Sequence, residues 1–217
     1  MSAPQAPPPV LSAENLTLSR GGRTLFRDLS FAVPAAGVLL LRGPNGAGKT
    51  SLLLALAGAI RPEAGRVTCR EPGEDGPLLP IHLLLTHNAI KPRLSTAENL
   101  AFWRAVNGRG SLGLEAALDR VGLGGLGMIE AGHLSTGQTR RLALARLIVS
   151  ERPVWLLDEP ATALDADGET LVRELVLAHC RSGGIAVVAT HHELGLEAVD
   201  GGTTTLLIRD GKTELAA

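Results

Sequence analysis

The sequence predicts an α/β domain in which a mostly parallel sheet, covered on both faces, carries a helical insert. Three observations lead there. Short, largely apolar segments recur at Val38–Arg42, Ile81–Thr86, Pro153–Asp158 and Gly184–Thr190, and read as strands buried on both faces. Helical stretches at Gly48–Ala57 and Asp165–Arg181 alternate with them, which argues for strand–helix–strand crossovers. Between Ser95 and Ser150 the pattern turns to helical periodicity without a strand, broken by glycine-rich stretches at 108–113 and 122–127.

Taken in order, Met1–Pro9 has neither the basic start nor the apolar run of a signal peptide, and residues 1–9 are expected to form a flexible, Pro-rich tail. Val10–Ser19 and Arg23–Val33 read as an antiparallel pair turning at Gly21-Gly22. Val33–Gly37 punctuates the chain before the first buried strand, which ends at Gly43. The helix that follows is rich in Leu and Ala and closes at Gly58, with Pro62 beyond it. One domain spans 10–217, with a core formed by 10–94 and 150–217 and a helical subdomain over about 95–149.

Bulk composition excludes some functions. A chain of 217 residues with 45% hydrophobic and 20% charged residues has the makings of one soluble core. The longest apolar runs fall far short of the ~20 residues a membrane helix needs. Net charge is −1 and no run of Lys and Arg forms a basic face, so direct nucleic-acid binding is not expected. Cys69 and Cys180 stand far apart and read as free thiols of a reducing compartment. No Cys-x-x-Cys-His segment occurs, so haem attachment to this chain is not expected either.

The chemistry begins at Gly43-Pro44-Asn45-Gly46-Ala47-Gly48-Lys49-Thr50, a Gly, four residues, then Gly-Lys-Thr, placed after a buried strand and opening a helix. Glycines let backbone amides turn toward a polyphosphate, and the helix N-terminus adds a positive field. Lys49 can reach the β- and γ-phosphates, Thr50 can offer its hydroxyl to Mg2+, and Ser51 is a candidate for the α-phosphate. Downstream, Pro153–Pro160 sets Asp158 and Glu159 side by side at the end of an apolar strand. Two such acids facing only each other are unfavourable, and a magnesium nucleotide supplies the missing positive charge. Asp158 then suits Mg2+, through water, and Glu159 suits a general base for the attacking water.

A second anion site is written at Leu134-Ser135-Thr136-Gly137-Gln138, where a Ser, a Gly amide and a Gln open a helix about 90 residues after the phosphate loop. Alone the pentapeptide is an ordinary helix cap. Between the phosphate loop and the acidic pair, it resembles the signature of the ABC ATPase family, and the similarity runs from about Val10 to the C-terminus. The resemblance implies a P-loop NTPase fold: a RecA-like core with an antiparallel β subdomain and an inserted helical subdomain. It implies a homodimer in which Ser135, Gly137 and Gln138 of one subunit reach the γ-phosphate held by the other, with ATP and Mg2+ as ligands. Asp165 then lies on the loop crossing the seam, and His191, placed after Gly184–Thr190, is the switch that contacts the γ-phosphate. His192 has no assigned role.

Two departures from the family pattern stand out. The place of the usual glutamine near the start of the helical insert holds His87, which can accept a hydrogen bond from a metal-bound water or be a plain loop histidine. The aromatic that stacks on adenine is missing from Arg20–Gly22, leaving the Arg20 guanidinium as a substitute platform. Within the family, the segments 23–31, 43–58, 90–103, 134–147 and 154–165 most resemble ATP-binding subunits of cytochrome c maturation haem exporters. That resemblance implies integral membrane partner subunits, a peripheral position on the cytoplasmic side of the bacterial inner membrane, and no direct contact with haem. Phe102 and Trp103 can line a groove for a membrane partner or pack the insert onto itself. A soluble ATPase of iron–sulfur cluster assembly and a transporter with another cargo stay open from the residues alone.

Overall fold

The structure is a computed structural model that describes residues 10–70, 81–108, 110, 112–196, 199–209 and 211–216, so the tail expected over 1–9 lies outside the described residues. The chain opens with β1 (Val10–Arg20), β2 (Arg23–Pro34), β3 (Val38–Arg42), α1 (Lys49–Leu56), β4 (Ala64–Arg70) and β5 (Ile81–Leu84). The helices α2 (Thr96–Asn107), α3 (Leu114–Arg120) and α4 (Thr136–Val149) follow, with a single 3-10 turn at Ala131–His133 before α4. The chain closes with β6 (Val154–Asp158), α5 (Ala166–Arg181), β7 (Ile185–Ala189), β8 (Thr203–Arg209) and β9 (Lys212–Ala216).

Two sheets result. One is antiparallel, ordered β2-β1-β4, and Arg20 faces Arg23 across the expected glycine turn. The other is ordered β5-β6-β7-β3-β8-β9, parallel throughout except for β9. Successive residues of its central strands enter two different cores. Leu39, Leu41, Leu156 and Val187 join Phe26, Leu52 and Leu56 of the antiparallel sheet and α1. Leu40, Leu157 and Val188 join Leu100, Leu142 and Val176 of α2, α4 and α5. A strand covered on both faces has no polar side, which is why these segments are continuous apolar runs in the sequence.

Between the two halves of the sheet, α2, α3 and α4 pack on one another, and the one strand-like feature among the described residues of that stretch is the isolated bridge Ser95–Glu130. Ser95 and Glu98 cap α2 reciprocally, so its first amides are satisfied within the chain. The strand expected over Ile81–Thr86 stops at Leu84, because the Leu85 carbonyl is taken by Arg140 of α4 and the chain turns away from the sheet. Strands β4, β8 and β9 had no counterpart in the sequence reading. Their Thr, Arg and Lys residues break the apolar runs that identify the inner strands.

Two histidines shielded within the fold, His82 and His179, are expected to make it acid-sensitive. His82 of β5 is 2% exposed, and its Nε2 lies 2.8 Å from the Ser150 carbonyl oxygen. Burial lowers its pKa to about 4, with Arg146 and Arg152 adding to the effect and the Ser150 hydrogen bond opposing it. His179, stacked on Trp155 at 4.0 Å, is likewise lowered by burial to about 4. From the ordinary value of 6.5 down to about 4, the unfolded chain holds more protons than the folded one. Stability is therefore full above that window and is lost as pH falls through it. The melting temperature should drop steadily between those values, and less steeply in His82→Gln; an unchanging melting temperature would contradict the assignment.

Candidate nucleotide site

The phosphate loop links β3 to α1. Among the helices of eight or more residues, α2, α4 and α5 are capped by the side chains of Ser95, Ser135 and Asp165, while α1 has no side-chain cap. Its first amides are left for an anion. Gly43 has φ 146°, and a Cβ there would lie 2.2 Å from the Ile208 carbonyl oxygen, so only glycine lets the loop pass β8. The buried Lys49 ammonium donates to the carbonyls of Gly43 at 2.6 Å and Pro44 at 3.2 Å, and so spans the loop it serves. Pro44 also accepts from the Ala47 amide at 3.2 Å.

Asp158 ends β6 opposite this loop. The Thr50 hydroxyl donates to its Oδ2 at 2.8 Å, placing a hydroxyl and a carboxylate side by side as a hard-cation pair. Burial pushes the Asp158 carboxyl above the usual carboxylate range and the neighbouring Glu159 adds to this, while Thr50, Lys49 and Arg140 pull it down. Glu159 has φ 47°, an unfavourable backbone region for a residue with a Cβ. Its amide donates to the Ala189 carbonyl at 2.7 Å, which ties the turn to β7.

The residue that holds this turn, Arg140, was not singled out from the sequence. Arg140 is 3% exposed, and its guanidinium donates to the carbonyls of Leu85 at 2.8 Å, Asp158 at 2.9 Å, Glu159 at 2.7 Å and Pro160 at 3.0 Å. A further bond reaches Asn88 Oδ1 at 2.6 Å. Burial lowers its pKa to about 10, against the supporting charges of Asp158 and Glu159, so it remains a cation at neutral pH. Arg140 thus joins the signature helix, the acidic turn and the segment after β5. Arg140→Ala leaves these buried acceptors unpaired and should lower unfolding stability by on the order of 3 kcal/mol, with hydrolysis reduced as well. Arg140→Lys should rescue little, since an ammonium cannot reproduce the planar fork. Denaturant unfolding of both variants checks this.

His191 follows β7, and its Nδ1 lies 3.0 Å from Glu159 Oε2, bringing the expected base and the expected switch together. Arg42 at the end of β3 donates to the carbonyls of Thr190 at 3.0 Å and His192 at 2.8 Å, fixing the loop that carries His191. Ser135 and Gln138 cap α4 reciprocally: Ser135 Oγ accepts from the Gln138 amide at 3.2 Å, and Gln138 Oε1 accepts from the Ser135 amide at 2.9 Å. Gly137 approaches Ala163, where a Cβ would stand 3.1 Å from the carbonyl oxygen. Asp165 caps α5 and pairs with Arg141 at 3.0 Å, its side chain 71% exposed.

Arg20, Arg23, Leu25, Asn45, Gly46, Gly48, Lys49, Thr50, Ser51, Thr86, Asp158 and Glu159 line one cavity of about 530 Å3 at the carboxyl ends of the strands. Arg20 is where a base platform was expected; Arg23 and Leu25 were not foreseen. Thr86 lines the cavity, whereas His87 is exposed and is not part of the lining. Ser135, Gly137, Gln138 and Asp165 are outside it as well. A larger cavity of about 740 Å3, lined by Arg152, Pro153, Trp155 and His179, opens at the opposite ends of β6 and β7. Ligands of open α/β sheets bind at the carboxyl ends, and the phosphate-loop residues and the acidic pair line the smaller cavity.

Fold and site together define an ATP-binding cassette, and the chain belongs to the ABC transporter family, whose description matches residues 26–162. It is 47% identical over 192 residues to the cytochrome c biogenesis ATP-binding export protein of Mesorhizobium japonicum, covering 88% of this chain and 96% of that one. The protein of the same name from Brucella abortus is 44% identical over 200 residues, covering 92% and 93%. Among solved structures, an ATP-binding subunit of an ABC transporter superposes with TM-score 0.82 at 19% identity, over 96% of this chain and 90% of that one. A dimeric ATP-binding cassette in a post-hydrolysis state gives TM-score 0.76 at 21% identity, over 94% and 97%. These two matches bear on the fold alone. No helix among the described residues is long and apolar enough to cross a membrane.

Proposed function

We propose that this chain is the ATP-hydrolysing subunit of a cytochrome c biogenesis export complex. It works as a homodimer, peripheral to integral membrane subunits, on the cytoplasmic side of the bacterial inner membrane. The observation that carries the mechanism is the division of the site. Lys49, Thr50, Asp158 and Glu159 share one cavity, while Ser135, Gly137 and Gln138 lie outside its lining on the exposed start of α4. A second subunit placed head to tail completes each site with those three residues and with Asp165 beside the seam.

The residues then divide the work. The loop Gly43–Thr50 and Ser51 hold the phosphates of ATP, with Lys49 on the β- and γ-phosphates. Thr50, and Asp158 through water, fit Mg2+, which when bound supplies charge neutralisation on the β- and γ-phosphates. Glu159 polarises the attacking water, and His191 holds the γ-phosphate from the other side. Serine, amide and Gln donors from the second subunit stabilise the charge that develops in the transition state. Hydrolysis removes the γ-phosphate contacts and the dimer reopens. That cycle drives haem delivery, or release of a haem chaperone, by the membrane subunits.

The aromatic pair on α2 suits a membrane partner. Trp103 packs under the Arg146 guanidinium at 3.8 Å, while Phe102 and Val106 are 38% and 57% exposed. One experiment tests the assignment: affinity capture of the tagged protein from detergent-solubilised host membranes, read by mass spectrometry. Recovery of polytopic cytochrome c maturation subunits is expected. Recovery of a different permease would discard the haem assignment, and purely cytosolic partners would discard the transporter reading.

A further inference from the structure

Glu159, His191 and His192 form, among the described residues, the one set of three side chains whose ligand-type atoms all lie within 4.8 Å of one another. Two features mark it as more than a crowded turn. Glu159 Oε2 is buried and receives no hydrogen bond, although His191 Nδ1 lies only 3.0 Å away; the contact lacks hydrogen-bond alignment. His192 is also oriented from behind, its Nδ1 being 2.7 Å from Glu169 Oε1 of α5. A carboxylate behind a histidine is the arrangement that fixes an imidazole with its other nitrogen toward a metal. The two rings stand 4.3 Å apart, and Arg42 pins the backbone on both sides of His191.

We propose that these three residues form a transition-metal site, of the Zn2+ class, that blocks hydrolysis when filled. Two imidazoles and a carboxylate make the three-ligand set of open zinc centres, whereas Mg2+ prefers oxygen donors and has its own pair at Thr50 and Asp158. Ligand atoms around a tetrahedral ion stand roughly 3.3 Å apart, given bonds of about 2.0–2.1 Å. The His191 side chain, 68% exposed, can turn to close the remaining gap. An ion there holds Glu159 and His191 together and takes the carboxylate oxygen that the attacking water needs. The blocking role rests on the roles given above to Glu159 and His191; the metal site itself does not.

The test has two arms on the full chain. In the first, without nucleotide, Co2+ and Zn2+ are titrated into wild type, His192→Gln and Glu169→Gln. Saturable one-to-one binding with a four-coordinate Co2+ spectrum is expected in wild type, lost in His192→Gln and about tenfold weaker in Glu169→Gln. In the second, Zn2+ should abolish wild-type hydrolysis and leave His192→Gln active, the two proteins turning over alike in chelated buffer. Equal binding by wild type and His192→Gln, a cysteine–cobalt charge-transfer band, or full wild-type hydrolysis at saturating Zn2+ would each overturn the proposal. A wild type inactive even in chelated buffer would count against the ATPase reading, and the binding arm would still decide the site.

Discussion

Glu159→Gln is expected to bind ATP as the wild type does and to hydrolyse it at least about a hundredfold more slowly, the scale of a lost general base. The substitution keeps the shape of the side chain and removes only the charge. The unusual backbone at Glu159, φ 47°, is held through its amide by Ala189 and through its carbonyl by Arg140, so the turn keeps its form in the variant. Lys49, Thr50 and the glycine loop are untouched, hence the unchanged affinity. Single-turnover hydrolysis and nucleotide binding, measured on the same preparation, separate the two effects. Turnover near the wild-type rate would remove Glu159 from the chemistry and leave His191 without its partner.

Lys49→Ala acts at the other step. The ammonium bridges the Gly43 and Pro44 carbonyls at 2.6 and 3.2 Å, so it is aimed along the loop where phosphates approach α1. Charged hydrogen bonds of this kind contribute about 2 kcal/mol, and ATP affinity should fall roughly thirtyfold or more. Hydrolysis should fall with it, on the role proposed for Lys49 at the γ-phosphate. Calorimetric titration distinguishes this variant from Glu159→Gln: one loses binding, the other loses turnover. Normal nucleotide affinity in Lys49→Ala would contradict the cradle.

The parts of the site legible in the sequence are those built from neighbours in the chain. Gly43–Thr50, Asp158-Glu159 and Leu134–Gln138 each hold the groups of the proposed site within one turn or helix start, so contiguous residues suggest the chemistry. Arg140, Arg42 and Glu169 reach groups distant in the chain, 150 positions away for Arg42 and His192, through carbonyls and side chains that only the fold assembles. For Arg140 a signal did exist. It falls on the same helical face as the buried Leu144 and Leu147, and a charge on an apolar face requires partners. His87 shows the converse: counting along the chain finds its place, but not where its side chain points. The same logic applies to the sheet. Strands buried on both faces declared themselves as apolar runs, whereas β8, Thr203–Arg209, opens with three threonines and β9 opens with the polar run Lys212-Thr213-Glu214.

Sedimentation equilibrium of Glu159→Gln with and without Mg-ATP tests the two-subunit site most directly. The variant should be monomeric without nucleotide and dimeric with it, and Ser135→Arg in the same background should stay monomeric because α4 can no longer approach the second subunit's phosphate. A Glu159→Gln protein that binds ATP yet remains monomeric at every concentration would contradict a site completed in trans.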